Sequence, residues 1–143
     1  MDVLILRPVV VLIGWSLVML VWSLARRIPA MRAAGIDVNK LVGSKTGDAD
    51  NILPAAVNWP VHNYNHLMEQ PTLFYAVATV IALTGTGAGV NAMLAWGYVV
   101  VRIGHSIVQA TVNRVSLRFV LFLLSTLCLV ALTLHAAMAV FHG

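Results

Sequence analysis

The stretch NYNHLMEQPTLFY, from Asn63 to Tyr75, contains Glu69, the last acidic residue of the chain, two positions before Pro71. Downstream of it the sequence turns almost wholly apolar as far as Thr84. Upstream, His62, Asn65 and His66 recur at spacings of three and four, so on a helix they share one face with Glu69 and Thr72. Read as one helix, 62–84 has the length that crosses a bilayer, for which about 20 mostly apolar residues suffice. Pro71 is compatible with that reading, because neighbouring helices can satisfy the carbonyl that a proline frees in a membrane helix.

Working outward, the whole chain has the composition of an integral membrane protein. Of its 143 residues 60% are hydrophobic and only 10% are charged, against roughly 25% charged in a soluble domain. One domain covering 1–143 is expected at this length. Four segments read as spans, at about 3–25, 62–84, 92–111 and 115–141. No strand alternation interrupts them, and backbone groups in lipid must be satisfied within a helix or a closed barrel. The expected fold is therefore an all-α membrane protein, a bundle of four transmembrane helices. The first segment reads as a span and not a cleaved signal, since its apolar run is long and its basic cluster follows it. The net charge of +4 is not a nucleic-acid signature: the basic residues are dispersed and flank apolar segments, where topology accounts for them. The single cysteine, Cys128, sits in an apolar run and has no internal partner for a disulfide.

Charge placement orients the helices. Arg26, Arg27, Arg32, Lys40 and Lys45 fall in the connection at about 26–61, Arg114 in the third connection, and none in TGTGAGVN between the second and third spans. The positive-inside rule then puts the first and third connections in the cytoplasm and both termini outside; Arg7 dissents, but lies near a helix end where it can snorkel. The Gly-Ser-Lys-Thr at 43–46 is not a phosphate loop, lacking the glycine before its lysine and the strand-to-helix setting that motif needs.

Three polar faces meet at one level. Arg102, His105, Gln109 and Asn113 share a face of the third span, and Arg114 and Arg118 open the fourth. At about 1.5 Å per residue, Glu69 and His105 lie roughly 10 Å from the cytoplasmic ends of their helices, Arg102 roughly 15 Å and Arg118 roughly 5 Å. A charge near the membrane centre costs about 2.5–3.5 kcal/mol on insertion scales, so Glu69 and Arg102 are expected to pair, within one chain or between chains. A cytoplasm-facing pocket between neighbouring subunits is expected around them, lined by His62, Asn65, His66 and Glu69 and by Arg102, His105, Gln109 and Arg118. Its arginine excess favours an anionic head group. No metal set is expected: His62 and His66 have i, i+4 spacing, but the only third ligand in register is Glu69.

NHLMEQPTLFYA, followed by RIGHSIVQATVNRVSLRF, resembles the MAPEG family, the membrane-associated proteins in eicosanoid and glutathione metabolism, in its poorly characterised bacterial branch. The resemblance covers essentially the whole chain. It is carried by Glu69 with Pro71, Arg102 with His105, and Asn113 with Arg118. It implies a homotrimer in the bacterial inner membrane, with glutathione or a lipid bound between subunits. It also implies that Glu69, Arg102, His105 and Arg118 contact glutathione. Enzymes of the family usually carry arginines before an Asn-x-x-Glu, where this chain has His62, Asn65 and His66. Gln109 replaces a tyrosine, and Phe119 and Phe122 stand where a serine and a tyrosine follow the fourth-helix arginine. Arg102, Arg114 and Arg118 remain as cations for an anionic tripeptide.

Two function classes are left open. One is a glutathione-dependent transferase or peroxidase acting on lipophilic electrophiles, with Arg118 stabilising the thiolate, since nearby cations make a thiol a better nucleophile. The other is a non-enzymatic, lipid-binding or structural membrane protein that uses the same cluster to hold its trimer.

Overall fold

The computed structural model describes residues 1–142. It is all-helical, with no strand among those residues. Five α-helices follow in order: α1 (Leu6–Ala33), α2 (Ala55–Leu67), α3 (Gln70–Leu83), α4 (Val90–Ala110) and α5 (Val115–Phe141). Two short 3₁₀ turns, Val38–Lys40 and Thr46–Asn51, lie between α1 and α2.

The second expected span is not one helix, so the four expected helices are five. It breaks at Glu69, whose backbone (φ −91°, ψ −100°) is not helical, and α3 restarts with Pro71 in its first turn. Pro71 has no N–H to bond back to Leu67, and its ring crowds the turn before it. The end of α2 instead tightens into i→i+3 bonds from Met68 N–H to Asn65 O and from Glu69 N–H to His66 O. Thr72 then donates its hydroxyl to Glu69 O at 2.6 Å, holding the carbonyl at the break. Upstream, α2 begins at Ala55, seven residues before the expected start. Of the other boundaries, the end of α1 is further still from expectation. α4 and α5 fall within two residues of theirs, and α1 runs on to Ala33, carrying Arg26, Arg27 and Arg32 on its last turns.

α1 and α5 are long and apolar enough to cross a membrane, and little of either is covered: 28% and 17% of their most apolar windows are buried. A core helix of a soluble protein would hide most of such a surface. Here Val10, Leu17 and Val21 of α1 and Leu127, Val130 and Leu134 of α5 stay exposed, as suits side chains facing lipid. α4 is the amphipathic one. Tyr98, Val99, Arg102, His105, Ser106 and Gln109 are buried at helical spacing, with α5, α1 and α2 packed around them.

The apolar core is built on Phe74 of α3, which stacks on Tyr98 of α4 with ring centroids 4.3 Å apart and ring planes 16° from parallel. Ile5, Leu12, Ile81 and Leu132 close around it with no exposed surface. The turn from α3 to α4 presses on the start of the chain: Asp2 N–H donates to Ala82 O at 2.9 Å. A Cβ at Gly87 would sit 2.7 Å from Asp2 O and 2.8 Å from an Ile5 methyl, so only glycine fits this approach.

Candidate functional site

The break in the second span sets the geometry of the site. His62 and His66 ride on the end of α2, and Glu69 lies in the break itself. They face His105 and Gln109 on α4 and Arg118, Phe119 and Phe122 on α5 across a cleft of about 390 Å³, whose rim includes Val115. Charged and polar groups from α2, α4 and α5 share the lining with Val115, Phe119 and Phe122 of α5, which suits an amphipathic ligand.

Within the chain, Arg102 does not pair with Glu69; a pair between neighbouring chains is the other expected arrangement. Its side chain is the largest in the interior and has no exposed surface, whereas the Glu69 side chain is 70% exposed. His66 stands between them. Its Nδ1 is 3.2 Å from Glu69 Oε2 and its Nε2 is 3.5 Å from Arg102 Nη1. With Nδ1–H donating to the carboxylate, Nε2 is left to accept from the guanidinium. The backbone turn at Glu69 swings the carboxylate outward, so matched depth did not bring the two charges into contact. The His66 ring also lies 5.1 Å from that of His105 and 5.8 Å from that of Phe122. Aromatic faces flank the guanidinium itself: its carbon is 5.9 Å from the Tyr98 ring centre and 5.8 Å from that of Phe122, within cation–π range. Arg102 Nε and Nη2 have no hydrogen-bond partner among the described residues, nor does Ser106 Oγ one turn away.

At the shallow end the α4–α5 turn fixes Arg118. Asn113 takes a left-handed conformation (φ 50°), which asparagine tolerates better than most residues. Its N–H closes the end of α4 on Val108 O at 2.7 Å, and its side-chain oxygen accepts from Arg118 Nη1 at 2.5 Å. Asn113 thus braces Arg118 and does not face the cleft.

Of the ten residues expected at the site, His62, His66, Glu69, His105, Gln109 and Arg118 line the cleft. Arg102 lies behind His66. Asn65 and Arg114 are exposed and outside the cleft lining. Sequence reasoning passed over Asn63, fully buried, which donates to Gln109 Oε1 at 2.9 Å and fixes that wall. It also passed over Gln70, which donates to Thr126 at 2.9 Å and accepts from Tyr98 OH at 3.2 Å, tying α3 to α5 and α4. Glutamine beside a proline break was the available signal for Gln70. Asn63 lies off the His62–His66–Glu69 face and gave none. No group of three or more His, Cys, Asp or Glu among the described residues is arranged to hold a metal ion.

Long uncovered apolar helices around a buried polar cluster define an integral membrane protein of the all-helical class. The chain belongs to the MAPEG family, whose sequence profile matches residues 5–138. No match was found among curated proteins or solved structures.

Proposed function

We propose that this protein binds an anionic, amphipathic small molecule, glutathione first among candidates, in the α2–α4–α5 cleft. We further propose that it conjugates the thiol to a lipophilic electrophile arriving from the bilayer. The observation that carries the reading is the convergence of Arg118, His62, His66 and His105 on one cleft that Val115, Phe119 and Phe122 also line. Family membership supports glutathione as the ligand. Arg118 is the cation for the thiolate: it sits at the cleft, and Asn113 holds one of its nitrogens. The thiolate sulfur forms the new bond to carbon as the leaving group departs with its electron pair. The reading includes a homotrimer with four spans per chain, a single domain over 1–143, both termini outside the bacterial inner membrane, and the cleft opening towards the cytoplasm.

The second reading, a non-enzymatic lipid-binding or structural member, is favoured by a specific feature. No serine, threonine or tyrosine lines the cleft, so a thiolate there has no hydroxyl donor. Calorimetric titration of the purified protein with glutathione and with an anionic lipid, beside turnover of a generic electrophile, decides between them. Glutathione binding with turnover supports the enzyme. Binding of lipid alone supports the second reading. If neither ligand binds below about millimolar, equivalent to roughly 4 kcal/mol, the cluster is structural. Reporter fusions placing the 26–61 connection outside would overturn the topology.

A further inference from the structure

Between α1 and α2, the 3₁₀ turn Thr46–Asn51 is docked against α2 beside the cleft. Asp50 Oδ1 lies 2.9 Å from His62 Nε2, and His62 is itself part of the cleft lining. Asn58 Nδ2 reaches Ala49 O at 3.4 Å, and Arg27 on α1 donates to Thr46 O at 2.6 Å. Ala49, within the turn, and Leu53, just after it, are the only residues between Gly35 and Pro54 that are buried; the start of the turn is closed by Asp48 accepting from Lys45 N–H at 2.8 Å. The cleft beyond His62 holds Arg118, His66 and His105 against one acid, Glu69.

We propose that Asp50 is an internal competitor for the cleft. Its carboxylate occupies the outermost imidazole and latches the Thr46–Asn51 turn beside the cleft, and an anionic ligand that engages His62 releases the turn. A carboxylate presented by the chain itself has the charge and hydrogen-bonding capacity of an anionic ligand group. A part-exposed contact of this kind is weak enough to exchange. The inference rests on the functional reading only in taking the ligand to be an anion.

Ala49 supplies the test, because its side chain is covered only while the turn is docked. In the full-length protein with Cys128→Ala, Ala49→Cys is the only thiol, and its reaction with a water-soluble maleimide reports undocking. Adding Asp50→Asn should speed labelling about 1.4- to fivefold, the range for an exposed contact between such side chains. Asp37→Asn, which removes an acid paired with Lys40 and remote in sequence from the latch, should leave it unchanged. Leu53→Cys, at a second covered position, repeats the measurement should Ala49→Cys fold poorly. Equal labelling with and without Asp50→Asn at both positions overturns the latch. Glutathione titrated into the same samples separates the two readings. Faster labelling in Asp50→Asn with no glutathione binding keeps the latch and removes the glutathione reading. Binding that is unaltered by Asp50→Asn, with unaltered labelling, removes the latch alone.

Discussion

Around Phe74 and Tyr98 the interior closes on itself, whereas around Arg102, one helical turn further along α4, it does not. The first region is packed from Ile5, Leu12, Phe74, Ile81 and Leu132, all without exposed surface; its one buried hydroxyl, on Tyr98, is bonded to Gln70, and Trp15 Nε1, packed against it, is its one buried donor without a partner among the described residues. The second is as deeply buried, but Arg102 Nε and Nη2, Ser106 Oγ and Asn63 Oδ1 lack partners among the described residues. Dispersion and burial complete an apolar core within one chain. Polar groups need matched donors and acceptors, and orphans at this depth are met by water, a ligand or another subunit.

The largest effect should fall in the closed region. Phe74→Ala is expected to cost about 3–5 kcal/mol, seen as a lower melting temperature in detergent. The folded fraction should keep its glutathione affinity. A variant that melts normally but binds poorly would erase the distinction between the regions.

Next comes the bridge. His66→Ala takes away the one nitrogen that faces Arg102 and should cost about 1–3 kcal/mol, the penalty for stranding a buried donor. His66→Asn, which keeps an acceptor, should cost less. Arg102→Met removes the charge along with its needs and should be milder than His66→Ala, because replacing a buried ion by an apolar group is often neutral while stranding it is not. Thermal melts of the three variants rank them. An Arg102→Met loss equal to that of Phe74→Ala would make the polar cluster an ordinary structural core.

Smaller still is the Asn63–Gln109 bond. A double-mutant cycle with Asn63→Ala and Gln109→Ala should return a coupling of about 0.6 kcal/mol and no more than about 2 kcal/mol, as for interhelical hydrogen bonds in membranes. Least of all should Arg118→Ala disturb folding, by within about 0.5 kcal/mol as for a surface substitution, yet it should weaken glutathione binding about tenfold or more, since a hydrogen bond to a charged group is lost. Calorimetry and melting on the same variant check both halves; a large melting shift without a binding change would place Arg118 among the structural residues.

Much of this was legible in the residues. The apolar lengths of α1 and α5 and the amphipathic face of α4 follow from local chemistry, because hydrophobic periodicity acts over a few residues; the break at Glu69 does not, since 62–84 reads as one span. The polar face His62–His66–Glu69 was read from the same periodicity, and six of the ten expected site residues do line one cleft. Tertiary structure decided the rest. Whether Pro71 kinks a helix or splits it depends on whether neighbours satisfy the freed backbone. The split turned Glu69 outward and put an imidazole where a direct ion pair was expected. Asn63 became a wall of the site through Gln109, 46 residues away, and Asp50 reached His62 only because the long connection folds back over α2. Periodicity assigns a residue to a face of its own helix; which distant side chain meets that face is set by how the helices pack, and no local pattern encodes it.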